Sequence, residues 1–434
     1  MIPRPRKMRL YRLAYAGLVA ARILFAYRAL AARKKRLTDE QYKQRLSALH
    51  ISSAQKIYDA ALSLQGLMIK IGQTFGSRGD LLPVEYIQVL SRLQDQVPPR
   101  PFRIIQPYIE RQLGAPLADV FEHFDPKPVA AASLAQVYRA RLKDGRHVAV
   151  KVVYPNIERL VYTDLWILKA ALWLEARFYS IPLEPIYREL AANIPHEVDM
   201  EHEAQNMRTI AEQLRHREDV VIPQAIPEWT RRRVLTMEYI DGIKITDLTR
   251  VSDAGIDIQR VIQLVGDVYM EQMLGNGHFH ADPHPGNIFA LPGDRIALLD
   301  FGLTKRFSPE FRTAFRALAR SIYGRDDESL VDTLRDAGFK YKKGHDDAAA
   351  LVMGEAFRAF SNPDIYKDRA LIDDVNAKMR AIDRLNPMVD MPGEIALAMR
   401  VMGLLLALIF TAGADVDFAG MILKHAEEPV GVAA

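Results

Sequence analysis

A chain of 434 residues that is 49% apolar is long enough for two or three domains with real cores, which excludes overall disorder. The absence of cysteine removes disulfides, thiolate metal sites and cysteine nucleophiles, and fits a reducing compartment. The net charge of +4 hides an asymmetry, because residues 1–36 hold eleven Lys or Arg and no acidic residue, leaving the remainder at about −7 by subtraction.

Residues 1–36 form a basic segment whose stretch LAYAGLVAARILFAYRALAARKK mixes Leu, Tyr and Phe with Arg22, Arg28 and Arg33. That mixture suits a helix lying on an anionic membrane surface and is too interrupted by charge to span one. An ordinary basic helix packed on the body reads the same residues equally well. A signal peptide is not expected, since the apolar run Leu13 to Ala21 meets Arg22 instead of a small-residue cleavage site. Charge alone would allow nucleic acid, but the apolar content favours a membrane lipid surface, and no nucleic-acid partner is expected.

Residues 37–103 read as a helical extension, with SAQKIYDAALSLQGLMIKIGQTFG and VEYIQVLSRLQDQV at helical periodicity until VPPRPF breaks them. Residues 104–240 change period. SLAQVYRARL and HVAVKVVY predict two strands joined by a tight turn at Asp144-Gly145. Helices follow over about Asn156 to His216, and VIPQAIPEWTRRRVLTMEYI suggests a further strand pair. Residues 241–434 are mainly helical, interrupted by GHFHADPHPGNIFALPGDRIALLDFG, in which NIFAL and IALLDFG form a short hairpin across PGD. The run VMGLLLALIFTAGA at 401–414, bounded by Arg400 and Asp415, is short for a membrane span and reads as a buried helix.

The chemistry concentrates in HFHADPHPGN and the DFG that follows it. His278, His280, Asp282 and His284 alternate and could in principle cage Zn²⁺, but Pro283 and Pro285 bend the segment, and histidine-rich cages suit softer metals. The other reading is the layout of a kinase catalytic loop, with an Asp, an Asn five positions on, and a later Asp-Phe-Gly. Here these are Asp282, Asn287 and Asp300, while His280 would support the loop. ATP carries its phosphates on Mg²⁺, a hard ion that takes oxygen ligands, so a carboxylate and an amide oxygen on adjacent loops suit it. VAVK ends at Lys151 on the predicted second strand, and EVDMEHEAQN places Glu203 on a later helix where it could pair with that lysine. In LTMEYIDG, Met237 would lie near the adenine and the backbone of Glu238, Tyr239 and Ile240 would be available to it. Where a glycine-rich loop would cover phosphates, the sequence has Ala130, Ala131, Ala132 and Ser133, a stiffer backbone. After DFG the helical period returns within a few residues, leaving no long segment to dock a peptide.

Taken together, KIGQ, SRGDLLP, LQDQVPPRPF, AAASLAQVYRA, VAVK, EVDMEHEAQN, HADPHPGN and LLDFG resemble the UbiB/ADCK (AarF-type) family of atypical kinases over roughly residues 60–305. The resemblance implies an α+β, bilobal protein-kinase-like fold with a small β-containing N-lobe, a mainly helical C-lobe and a helical extension that covers the active site. It implies ATP and Mg²⁺ as cofactors, ATPase activity, membrane association and support of isoprenoid quinone synthesis, with quinone precursors or quinone-biosynthesis proteins as partners. It carries Lys70 and Gln73 over to the extension's motif, and Glu197 and Asp199 to the acidic motif that meets it. Read without the family, Lys70 is one polar residue in an amphipathic stretch.

The expectation is thus an atypical kinase-like ATPase at the cytoplasmic face of a membrane, peripheral to it. Lys151 would hold the α- and β-phosphates and pair with Glu203, Asp300 and Asn287 would ligate Mg²⁺, and Asp282 would orient or deprotonate the acceptor. Two rivals stay open: a small-molecule phosphotransferase of the aminoglycoside or choline kinase kind, and a regulatory pseudokinase that binds nucleotide and lipid as a switch.

Overall fold

The computed structural model describes residues 5–76, 82–94, 97, 99–175, 184–344, 347–361, 374, 377–381, 384 and 386–428; parts of the SRGDLLP and LQDQVPPRPF motifs lie outside them. The chain divides into two compact units, Met1–Glu203 with Ala225–Tyr239, and Ala204–Gln224 with Ile240–Ala434.

The first unit opens with helices Pro5–Arg33, Asp39–Leu64, Leu67–Gly76 and Val84–Leu90. The second begins at a reciprocal cap, Thr38 accepting from the Gln41 amide and the Gln41 side chain accepting from the Thr38 amide. Ala54, Tyr58, Ala61, Ile69, Tyr86, Val89, Leu90 and Leu93 close a common core over these helices. Gly72 is required by that packing, since a Cβ there would collide with Leu93. The first helix is tied down by Arg12, which is buried, as the alternative of a basic helix packed on the body allows. Its guanidinium donates to the Leu64 carbonyl, to the Gln65 carbonyl at 3.2 Å and to Asp164 at 2.8 Å, joining three helices at one charge. Burial pushes the Asp164 carboxyl up to about 6, with Arg12 pulling the other way.

The sheet of this unit runs Phe121–Phe124, Ala135–Leu142, His147–Val153, Val234–Glu238, with Ala130–Ala131 paired on the second of these strands. The hairpin expected at Asp144-Gly145 is present: Gly145 takes φ +89° and the Leu142 amide donates to the Arg146 carbonyl at 2.9 Å. The strand pair expected over 221–240 is present as short antiparallel contacts, Ala225 opposite Met237 and Arg231 opposite Val234. Val234–Glu238 pairs along its length with His147–Val153, whereas Val220–Val221 joins the sheet of the second unit, running parallel to Arg295–Leu298. Both short runs are apolar, and local pattern carries no information on which neighbour each finds.

In the second unit the four-stranded sheet has the order Val220–Val221, Arg295–Leu298, Ile288–Leu291, Ile243–Lys244, and His278–His280 pairs with Thr304–Arg306. Helix Ile258–Met270, capped by Asp257, buries Val261, Ile262, Val265 and Tyr269 and passes into a π-helical turn, Glu271–Asn276. Helices Pro309–Tyr323, Asp327–Asp336, Asp347–Phe360, Gly393–Ala412 and Phe418–Glu427 complete the described part of the unit. The first of them starts soon after Asp300, as the return of helical period there predicted.

Among the described residues, two helical stretches, Arg9–Arg36 and Gly393–Ala412, are by length and composition apolar enough to cross a membrane. The 401–414 run, expected to be a buried helix, lies in the second of these, with Val401, Leu405, Leu406, Leu408 and Ile409 buried. On the first helix Leu10, Tyr11, Leu18 and Phe25 are exposed, and at helical spacing they share one face.

The buried Arg12–Asp164 pair has a checkable consequence. Arg12→Ala should cost about 3–5 kcal/mol in denaturant unfolding, because it strands a carboxylate, while Arg12→Met combined with Asp164→Leu should recover most of that loss.

Candidate active site

In the first unit Lys151 sits mid-strand, opposite Val137 and Leu235 in the ladder, so its side chain leaves the sheet on a fixed face. Its ammonium meets both Glu203 oxygens, at 2.8 and 3.0 Å, with the Glu203 side chain 1% exposed. Glu203 lies in the first turn of helix Met200–Gln213, whose start is held by Asp199 accepting from the His202 amide. A carboxylate there is favoured by the helix dipole. The pairing that sequence spacing suggested is formed.

Lys70 forms an ion pair with Glu197 at 3.0 Å, so the extension motif meets the acidic motif through these two residues. Gln73 and Asp199 are engaged elsewhere. The Gln73 amide donates to the Leu93 carbonyl at 3.0 Å, fastening the extension helix to its own core, and Asp199 is paired with Arg232 at 3.3 Å.

Ala130 and Ala131 are hydrogen-bonded strand residues opposite Val137 and Gln136, the Ala132 amide donates to the Ala135 carbonyl, and Ser133 is buried. This segment is therefore part of the sheet, as stiff as its composition suggested. Met237 is buried, and Glu238 ends its strand opposite Val148. The Tyr239 amide donates to the His147 carbonyl at 3.1 Å, so that one group of the Glu238–Ile240 backbone is already engaged. Ile240 begins the second unit.

In the second unit Asn287 closes a short 3₁₀ turn, its side-chain amide donating to the Asp282 carbonyl and carboxylate, both at 3.3 Å. The Leu299 amide donates to the Asn287 carbonyl at 2.8 Å, which extends the Ile288–Leu298 pairing and brings Asn287 beside the segment carrying Asp300. Asp300 takes φ +60°, a backbone state that costs a non-glycine residue and persists only when its surroundings fix it. Those surroundings are in place. His280 Nε2 donates to the Asp300 carbonyl at 2.8 Å, the Gly302 amide donates to the Asp300 carboxylate, and Phe301 is fully buried with its carbonyl accepting from Asn206 at 3.0 Å.

The donor chemistry decides between the two metals considered. Among the described residues no group of three or more His, Asp or Glu is placed to hold a metal ion. His280 is engaged with a backbone carbonyl and with Tyr269, and His284 accepts from the Gly286 amide. Asp282, Asn287 and Asp300 offer carboxylate and amide oxygens, because Asn287 turns its NH₂ toward Asp282. An oxygen set of this kind fits Mg²⁺ and not a zinc cage.

Sequence reading missed Tyr269 and Gln272, which hold His280 from the preceding helix. They sit in an ordinary amphipathic pattern and carry no spacing signal.

A profile described as the ABC1 atypical kinase-like domain matches residues 92–334, more than half of the chain. The chain belongs to this family. Its relatives include AarF domain-containing protein kinase 1 of Mus musculus, 34% identical over 67% of this chain and 57% of that one. They also include the Arabidopsis thaliana protein ACTIVITY OF BC1 COMPLEX KINASE 8, chloroplastic, 37% identical over 66% of this chain and 38% of that one. The first-matched relatives are thus covered over only about half of their length. Rv3197 of Mycobacterium tuberculosis, solved in complex with erythromycin, matches 89% of this chain and 100% of its own at a TM-score of 0.62 and 22% identity. That likeness establishes the fold, and the UbiB/ADCK resemblance and the α+β kinase-like expectation both hold.

Within this ABC1 domain His278 is a titratable group with no described partner for its Nδ1. Burial first, then Arg306, pushes its imidazole down to about 4. A ring that binds fewer protons folded than unfolded contributes stability that is complete above about pH 6.5 and is lost as pH falls toward 4. His278→Leu should therefore flatten the fall in melting temperature over that window, removing roughly 1–2 kcal/mol of acid sensitivity.

Proposed function

We propose that the chain is an atypical kinase-like ATPase that uses MgATP at a membrane surface and supports isoprenoid quinone synthesis or lipid homeostasis. The observation that carries the reading is that one chain forms both the buried Lys151–Glu203 pair and the Asn287–Asp282 contact, with Asn287 hydrogen-bonded to the residue before Asp300.

The roles follow from the chemistry of each group. Glu203 holds the Lys151 ammonium in a fixed direction, so that it meets the α- and β-phosphates without reorganisation. Asp300 and Asn287 supply the oxygens for Mg²⁺, whose charge, when bound, offsets that developing on the transferred phosphoryl group. Asp282, steadied by Asn287, would accept a hydrogen bond from the attacking hydroxyl or water and take its proton as the new oxygen–phosphorus bond forms and the bond from the γ-phosphorus to the bridging oxygen breaks, ADP leaving. The early helix at Pro309 leaves little chain after Asp300 to dock a peptide, which supports water or a small, lipid-linked alcohol as acceptor. Membrane contact is supported by the basic first helix with Leu10, Tyr11, Leu18 and Phe25 exposed on one face, and the cytoplasmic leaflet by the density of arginine and lysine around it. The Lys70–Glu197 contact supports a regulatory role for the extension, with Gln73 and Asp199 as its fixed points.

The test is MgATP hydrolysis with and without anionic liposomes and a soluble phenolic quinone precursor. Turnover should rise with lipid or phenol, and Asp300→Asn or Lys151→Ala should reduce it on the order of 100-fold or more. Nucleotide binding without turnover under every lipid condition would instead favour the regulatory switch. Stoichiometric phosphorylation of a soluble alcohol would favour the small-molecule phosphotransferase.

A further inference from the structure

Tyr269 is fully buried at the end of helix Ile258–Met270, with its hydroxyl 2.7 Å from His280 Nδ1. The other ring nitrogen, Nε2, is 2.8 Å from the Asp300 carbonyl. A carbonyl oxygen can only accept, so Nε2 carries the hydrogen, and in the neutral ring Nδ1 is then the acceptor and Tyr269 its donor. The backbone of the same residue is held as well, because the His280 amide donates to Gln272 Oε1 at 3.0 Å. Gln272 reaches it from the π-helical turn Glu271–Asn276, an irregularity that lets Tyr269 and Gln272 face the same strand residue. Burial, with the Asp282 charge adding to it, raises the Tyr269 hydroxyl well above its ordinary range, so it stays a donor at working pH.

A buried hydroxyl is costly to leave unpaired, and phenylalanine would fill the same space. The hydroxyl is thus explained by what it fixes. We propose that Tyr269 is a positioning residue of the metal site: by donating to Nδ1 it fixes the orientation of the His280 ring, whose Nε2–H holds the Asp300 carbonyl and the left-handed backbone that presents the Asp300 carboxylate. With Phe at 269 the buried Nδ1 loses its donor, and the ring is free to turn its Nε2–H away from the Asp300 carbonyl.

The inference rests on the assignment of Asp300 to Mg²⁺, so the experiment separates the two. Full-length wild type and Tyr269→Phe are compared by electron paramagnetic resonance titration of Mn²⁺ in the presence of ADP, by fluorescent-nucleotide binding without metal, and by long-range ¹H–¹⁵N spectra of ¹⁵N-histidine protein. Mn²⁺ affinity should fall roughly 5- to 20-fold, metal-free nucleotide affinity should be unchanged, and the His280 Nδ1 signal should shift to that of a nitrogen without a hydrogen-bond donor. Unchanged Mn²⁺ affinity overturns the proposal, as does an equal loss of both affinities, which would mark a general packing role. Should wild type take up no Mn²⁺ with ADP, the enzymatic reading falls, and the histidine spectra still decide whether Tyr269 holds the His280 ring.

Discussion

An ammonium group leaves water only when something replaces its hydration, and the Lys151–Glu203 pair is how this chain meets that constraint. The strand brings the lysine out of the sheet on one face, and the first turn of helix Met200–Gln213 supplies a carboxylate stabilised by the helix dipole. Neither partner could be buried to this degree without the other. Much of the first unit serves this arrangement: the sheet fixes the height of the lysine, and the Lys70–Glu197 contact fastens the segment just before that helix to the extension.

The second unit solves a different problem, which is to hold oxygens together without letting them repel. Hairpin pairing sets Asn287 beside the chain leading to Asp300, and the asparagine amide then bonds to Asp282, so that carboxylate is held by a neutral donor. The cost is the backbone of Asp300, which takes a left-handed state and is held there from both sides by His280 and Gly302. Strain of this kind is stable only on a rigid base, and the base is the fully buried set Tyr269, Gln272, His280 and Phe301.

Two departures from a glycine-looped kinase have a common physical consequence. The alanine segment is incorporated into the sheet, and the chain after Asp300 passes quickly into helix Pro309–Tyr323. Both replace segments that would move with segments that are hydrogen-bonded in place, which suits a site whose acceptor is small.

The sequence by itself singled out the polar groups that folding joins in the Lys151–Glu203 pair and the Asn287–Asp282 contact, because charged groups at fixed spacing on predictable strands and turns leave a legible pattern. Local pattern also determined the Asp144-Gly145 hairpin and the short connection after DFG. The tertiary structure decided what local pattern cannot encode. Arg12 reads as one more basic residue of its segment until three helices close around it, and nothing in the run at Val220–Val221 says that it joins the sheet of the second unit. Tyr269 and Gln272 look like any residues of an amphipathic helix, and Tyr239 like any residue of a linker. Their roles arise from hydrogen bonds to residues made adjacent only by folding, and a bond of that kind leaves no period or spacing in the chain to be read.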